Sequence, residues 1–279
     1  PMSERLVLAL DGSTRTCSAA LLNPRVLASP YDGPGSLWQV LAERSHADSR
    51  GQGRVLLRMV DEILAEAGAG CNDIGAIVVG TGPGTFTGVR IAVATARALS
   101  LALWVPVAGV STLAALASAV ARDAKTNLVV PVVDARRDQV FYGLYRSPGG
   151  PEIQRWVRRV PYGVCDRHAL AAMLDGPATV VAEDAALVGE LPLGTEFSAC
   201  AVQAERLVYG QRLLTELGGL PQGARLTPCL IEVLIAGGQA EPEAVKPIYV
   251  RAPDADIHIT KMKDPWAEST GRDPQKEGR

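Results

Sequence analysis

Apolar residues recur along this chain with two periods, and each change of period marks a change of element. Leu6-Val7-Leu8-Ala9-Leu10 is a continuous apolar run of strand length that stops at Asp11. Gly12-Ser13-Thr14-Arg15 then turns the chain, and residues 16–22 return as a second strand. The same order recurs in the second half. Val129-Val130-Pro131-Val132-Val133 leads to Asp134, a turn follows at Ala135-Arg136-Arg137-Asp138, and residues 139–145 read as the returning strand. Two such units, each heading about half of the chain, point to a duplicated lobe, although two unrelated hairpins would look the same locally. A turn-rich loop at 29–36 precedes a third strand over 37–43. Val55, Leu56, Met59, Val60, Ile63, Leu64 and Ala67 then repeat at threes and fours, which predicts a helix that Gly68 closes. Leu57 widens that stripe beyond what one sheet face requires.

The densest glycine run follows. Ile77-Val78-Val79 reads as a buried strand, Gly80, Gly82, Gly84 and Gly88 punctuate the loop up to Arg90, and residues 91–99 form a helix with an alanine-rich face. Glycines at such a junction let a ligand or a neighbouring main chain sit where a Cβ would clash. A tight turn with purely geometric glycines would look alike. Neither the Gly-Lys-Ser/Thr ending nor the dinucleotide spacing is present, so the loop is no common nucleotide fingerprint. Beyond it, residues 104–110 leave the helix and 111–121 read as a helix crossing between lobes. Later segments at 168–174, 185–191 and 204–217 read as helices and 179–182 as a strand. The chain thus divides into an N-terminal lobe at 1–108, a second lobe at 109–242, a return segment at 243–257 packing on the first lobe, and a charged, polar tail at 258–279 that reads as disordered.

A hydrophobic content of 47% over 279 residues suffices for a large core. The formal charge of -2 argues against a chain that grips a nucleic-acid backbone alone. Five cysteines without a Cys-x-x-Cys pair suggest neither a disulfide framework nor a zinc cluster, and read as small buried hydrophobes. The three histidines, His46, His168 and His258, are scattered, so no metal site is expected. The first residues carry no signal-peptide pattern, which predicts a cytoplasmic protein. Arg97 interrupts the longest apolar stretch, and an arginine at mid-membrane costs about 2.5–3.5 kcal/mol, so no membrane span is expected. Ser13, Ser18 and Ser111 lack a recognisable base, and no Gly-x-Ser-x-Gly elbow occurs.

With these motifs in place, the chain resembles the TsaB (YeaZ) family of bacterial tRNA threonylcarbamoyladenosine biosynthesis. The resemblance rests on residues 79–90, on Ala94-Thr95-Ala96-Arg97-Ala98-Leu99, on residues 105–113, on the Asp134-Ala135-Arg136-Arg137 turn, and on residues 247–255. It covers about residues 5 to 257. Relatives tend to open the first helix with a His-Ser/Gly-Glu run, where this chain has Gln52-Gly53-Arg54. The resemblance implies an α/β, actin-like or Hsp70-like ATPase fold with two duplicated RNase H-like lobes, the second partly degenerate.

It also implies a division of labour. Asp11, Ser13, Thr14 and Asp134 fall where actin-like ATPases hold a magnesium nucleotide, and they read here as a vestigial nucleotide site, since Arg136-Arg137 replaces small residues. No catalytic residue, metal or cofactor is assigned, and no catalysis is expected of the chain alone. By resemblance it is a non-catalytic scaffold that binds and activates the TsaD-like catalytic paralogue, with a TsaE-like accessory ATPase in the assembly and tRNA contacted only through the complex. The resemblance places the partner face, or a homodimer face, on Leu56, Met59, Val60, Ile63 and Leu64 of the first helix with Ile91, Ala94, Ala98 and Leu101 of the second. The other reading of those stripes is that the chain's own sheet consumes them. An actin-like small-molecule kinase or ATPase is the alternative function, and a homodimer with a regulatory or proteolytic role is a third.

Overall fold

The structure, a computed structural model, describes residues 5–24, 38–47, 52–120, 124–146, 156–158, 160–207, 214–215 and 242–251. Alternating and continuous apolar runs build its first sheet. β1 (Leu6–Asp11), buried on both faces, pairs antiparallel with β2 (Cys17–Pro24), which pairs antiparallel with β3 (Trp38–His46). β4 (Ile74–Gly80) lies parallel to β1 on its other side, and β5 (Val107–Val110) lies parallel to β4, giving the order β3-β2-β1-β4-β5. Continuous apolar strands such as β1 and β4 require cover on both faces.

Two helices cover one face. α1 (Gln52–Glu66) begins at the Gln52-Gly53-Arg54 run despite having no acidic residue in its first turn. Leu56, Met59, Val60, Ile63 and Leu64 are all buried against Leu8, Leu10, Leu21 and Ile77 of the sheet. Those five residues therefore do not form a partner face, because the helix stripe is used up by the core beneath it. Leu57, which widened the stripe, points outward and is 48% exposed. Gly68, at φ +64°, ends the helix. α2 (Phe86–Leu103) starts five residues earlier than its apolar period suggested and buries Gly88, Val89, Ala92, Val93, Ala96 and Ser100. It is the one described helix long and apolar enough to match a membrane span, and its apolar character divides between this buried face and an outward stripe.

α3 (Thr112–Val120) covers the opposite face. Leu113, Ala114, Ala115, Leu116 and Ala117 pack in one core with Val7, Ala9 and Val78 of the first sheet and Val129, Val133, Phe141 and Val181 of a second. That second sheet repeats the first. β6 (Leu128–Arg136) pairs antiparallel with β7 (Gln139–Tyr142) and β8 (Tyr145–Arg146), which continue one register on β6, with Tyr142 opposite Val132 and Tyr145 opposite Val129. The expected single return strand is thus broken in two at Gly143-Leu144. β9 (Trp156–Arg158) and β10 (Gly163–Asp166) extend β8 and β7 in antiparallel fashion. β11 (Thr179–Ala182) lies parallel to β6 and β12 (Glu196–Ala199) parallel to β11. β6 therefore plays the part of β1, and β11 and β12 the parts of β4 and β5.

The helices differ between the halves. Where α1 stands in the first half, the second has a 3-10 turn at Ala171–Met173, and where α2 stands it has another at Ala185–Leu187, in place of the helices expected at 168–174 and 185–191. Residues 204–207 are helical as expected, whereas Leu214–Thr215 forms a short strand, β13, beside β9 instead of continuing a helix. Cys17 and Cys200 are buried as expected, but Cys71 is exposed. The loop at 29–36, Cys229, His258 and the tail at 258–279 lie outside the described residues.

Placing a carboxylate at Ile63 strands a charge in the core under α1, at a cost of several kcal/mol. Ile63→Asp is expected to abolish the cooperative thermal unfolding transition seen by circular dichroism, while Leu57→Asp on the outer face keeps it within a few degrees.

Candidate functional site

Gly84 of the loop after β4 and Gly12 of the β1–β2 turn each lie against a neighbouring main chain. A Cβ on Gly84 would collide with the carbonyl oxygen of Ser13, and one on Gly12 would lie 2.8 Å from the carbonyl oxygen of Gly88. The two backbones are tied where they meet. Thr85 N donates to Ser13 O at 2.7 Å, and Thr85 Oγ1 donates to Gly12 O at 3.3 Å. Of the two causes the sequence left open, close approach of backbone is the one the structure displays: the loop lies on the β1–β2 turn.

That contact encloses Asp11. Its side chain is fully buried, and a Cβ on Gly80 would strike its Oδ1. Ser13 N donates to Asp11 Oδ2 at 3.0 Å, and Ser13 Oγ lies 3.0 and 2.9 Å from the two carboxylate oxygens. Burial pushes the Asp11 carboxyl up from 3.8 to about 6, against the lowering effect of the Ser13 hydrogen bonds and with a small further rise from the Glu183 carboxylate. Thr14 is equally committed, with its hydroxyl donating to Thr16 O and accepting from Thr16 N, both at 3.2 Å.

Asp134 sits at the corresponding place on β6 but in a different setting. It is half-buried, accepts from Arg136 N at 2.7 Å, and pairs with Arg136 Nη1 at 3.2 Å. Arg136, Arg137 and Asp138 carry the turn in the left-handed region, at φ +64°, +55° and +56°. For non-glycine residues that conformation costs roughly 1–2 kcal/mol each, somewhat less for Asp. After Asp134, Ala135-Arg136-Arg137 stands where the first half has Gly12-Ser13-Thr14 after Asp11.

A segment near the end of the described chain joins the loop after β4 to the second turn. Val245 enters the core beside α2, and Ile248 N donates to Thr81 O at 2.7 Å. Tyr249 accepts from Arg90 Nε at 2.9 Å, and the Arg90 guanidinium stacks 3.6 Å over the Phe86 ring. Arg251 Nη2 then reaches the second turn, donating to Ala135 O at 2.8 Å and to Gln139 Oε1 at 2.6 Å. Sequence reasoning singled out Arg90 but missed its partners Phe86 and Tyr249, which lie far apart in the chain.

The outer face of α2 is open. Ala94, Ala98 and Leu101 are exposed and Ile91 is half-buried, so these four residues, unlike the five on α1, stand at the surface. Arg90 heads the stripe and Trp104, 92% exposed, stands at its far end in a left-handed conformation.

Two sheets of repeated order around a shared helix, each with an aspartate at the first hairpin, define an actin-like protein built from two RNase H-like lobes. Comparison with known proteins narrows the class. A family model described as TsaD, tRNA N6-adenosine threonylcarbamoyltransferase, matches residues 40–157. The chain is 38% identical over 141 residues to the tRNA threonylcarbamoyladenosine biosynthesis protein TsaB of Haemophilus influenzae and 36% identical over 140 residues to that of Escherichia coli. Each alignment covers 50% of this chain and 54% of the relative, so the chain spans about half the length of the curated relatives it matches. The solved structure of YeaZ from Pseudomonas aeruginosa superposes with a TM-score of 0.62 at 28% identity, covering 88% of this chain and 99% of that one. In sequence over half of its length and in fold, the chain is similar to TsaB (YeaZ) proteins.

Two outcomes test this geometry. Gly84→Ala is expected to lower the melting temperature by several degrees in a thermal scan, because its Cβ forces the loop off Ser13. For Asp11 the folded carboxyl binds its proton more tightly than the unfolded one, so stability rises as pH falls from above 6 towards 4. Two units correspond to about 3 kcal/mol. Denaturant titrations at pH 7.5 and pH 5 should show wild type gaining stability relative to Asp11→Asn at the lower pH.

Proposed function

We propose that this chain is a non-catalytic, activating subunit of the bacterial machinery that forms N6-threonylcarbamoyladenosine in tRNA, working in the cytoplasm by binding the TsaD-like catalytic paralogue. The observation that carries this reading is the similarity to proteins named for tRNA threonylcarbamoyladenosine biosynthesis across half of the chain. The site geometry supports a binding role. Asp11 is sealed under the glycine loop and held by Ser13, and Asp134 is held by Arg136, so neither presents a free carboxylate to a magnesium nucleotide. This weighs against the alternative of a small-molecule kinase or ATPase. A TsaE-like ATPase would join the assembly, and tRNA would be reached through the complex.

The partner face moves, relative to the sequence reading, to the outer side of α2. Ala94 and Ala98 are small enough for another helix to approach closely, and Ile91, Leu57 and Leu101 provide apolar area around them. The paralogue is the proposed occupant, and a second copy of this chain is the competing one.

Ala98→Glu puts a long charged side chain on that seam without touching the core. Sedimentation velocity of the variant mixed with the purified paralogue is expected to show loss of the complex, with at least roughly tenfold weaker association and an unchanged thermal transition. A complex formed at wild-type affinity would place the contact elsewhere, and a wild-type chain that only self-associates would favour the homodimer.

A further inference from the structure

The register of β2 on β3 sets up a second polar site on the face of the first sheet that looks towards the second lobe. Ser18 lies opposite Ser45, and Ala20 lies opposite Glu43. Directly paired residues point to the same side of a sheet, and Ala20 belongs to the core shared by both lobes. Ser18, Ser45 and Glu43 therefore face across a cleft to Gln203 and Glu205 of the second lobe, and these residues line a cavity of about 290 Å³. Arg44, one position out of phase, turns to the other side, where it pairs with Glu62 and Glu66 of α1.

Ala19 and Arg44 complete the wall of the cleft, with the Arg44 guanidinium engaged by Glu62 and Glu66. Glu205, with 15% of its side chain exposed, lines the cleft together with Glu43, so two carboxyls meet there. Burial raises the Glu205 carboxyl most; a backbone hydrogen bond lowers it, the Glu43 charge raises it and Arg206 lowers it. Arg206 Nε stands 3.8 Å from Glu205 Oε1, beyond hydrogen-bond reach. Ser18 is 97% buried by its 3% exposure, and its hydroxyl has no hydrogen-bond partner. A buried hydroxyl without a partner costs free energy that a ligand can recover. Among the described residues no three His, Cys, Asp or Glu side chains converge as metal ligands, and the cavity is far larger than a bare ion needs.

We propose that this interlobe cleft binds a small primary amine, whose ammonium group lies between the Glu43 and Glu205 carboxylates and donates to the Ser18 hydroxyl. The site is separate from the α2 face and does not depend on the paralogue.

Isothermal titration of the purified chain at pH 7 with 1,4-diaminobutane tests it, with 1,4-butanediol and magnesium chloride as comparators. The expected result is one-to-one binding of the diamine and none of the diol. Glu43→Gln, Glu205→Gln and Ser18→Ala should each weaken binding, the two carboxyl variants by roughly tenfold or more. If Glu205→Gln does not fold, Glu43→Gln on the sheet edge decides. Absence of diamine binding, equal affinity in Glu43→Gln, or tighter binding of magnesium than of the diamine would overturn the proposal.

Discussion

The contact between the β1–β2 turn and the loop after β4 organises this molecule. Two stretches of main chain meet where Gly84 lies on Ser13 and Gly12 lies on Gly88, and no side chain larger than hydrogen fits between them. Thr85 closes the join with hydrogen bonds to both Gly12 and Ser13. From this junction α2 departs, Asp11 is sealed, and Thr81 is held in position to receive Ile248. A glycine loop that in other proteins would cradle phosphate is here filled by the protein's own backbone.

The two lobes share a strand order yet their hairpin turns are occupied by different means. In the first, backbone packing and Ser13 take up the aspartate; in the second, an arginine turn of left-handed residues takes it up. The helices diverge as well. α1 and α2 supply a full hydrophobic layer to the first sheet, whereas 3-10 turns stand in their places on the second. Sheet order survives such changes because it rests on main-chain pairing, while helical layers depend on side-chain area.

Much of this was readable from residue order, and the failures have physical causes. The paired hairpins were legible because apolar runs ending in aspartate are short, local signals, and the α1 stripe was legible as a period. What the period could not say is which partner the stripe meets. Leu56, Met59, Val60, Ile63 and Leu64 satisfy a sheet as well as another protein, and only the register of β2 beneath α1 decides for the sheet. The α2 residues Ala94, Ala98 and Leu101 lie nearly on the opposite side of the helix from the buried Ala92, Val93 and Ala96, a distinction that an alanine-rich sequence hides. The return strand at 139–145 was read as unbroken because its break at Gly143-Leu144 preserves the register. Contacts distant in sequence, such as Arg90 with Tyr249, leave no local trace at all.

The segment carrying Val245, Ile248, Tyr249 and Arg251 touches the core of one lobe and the turn of the other. A ribosome emits it after every strand of both sheets that it fastens. The first lobe therefore waits, with its socket beside α2 unfilled, until the described strands of both sheets have been made, and only then can the halves become mutually locked.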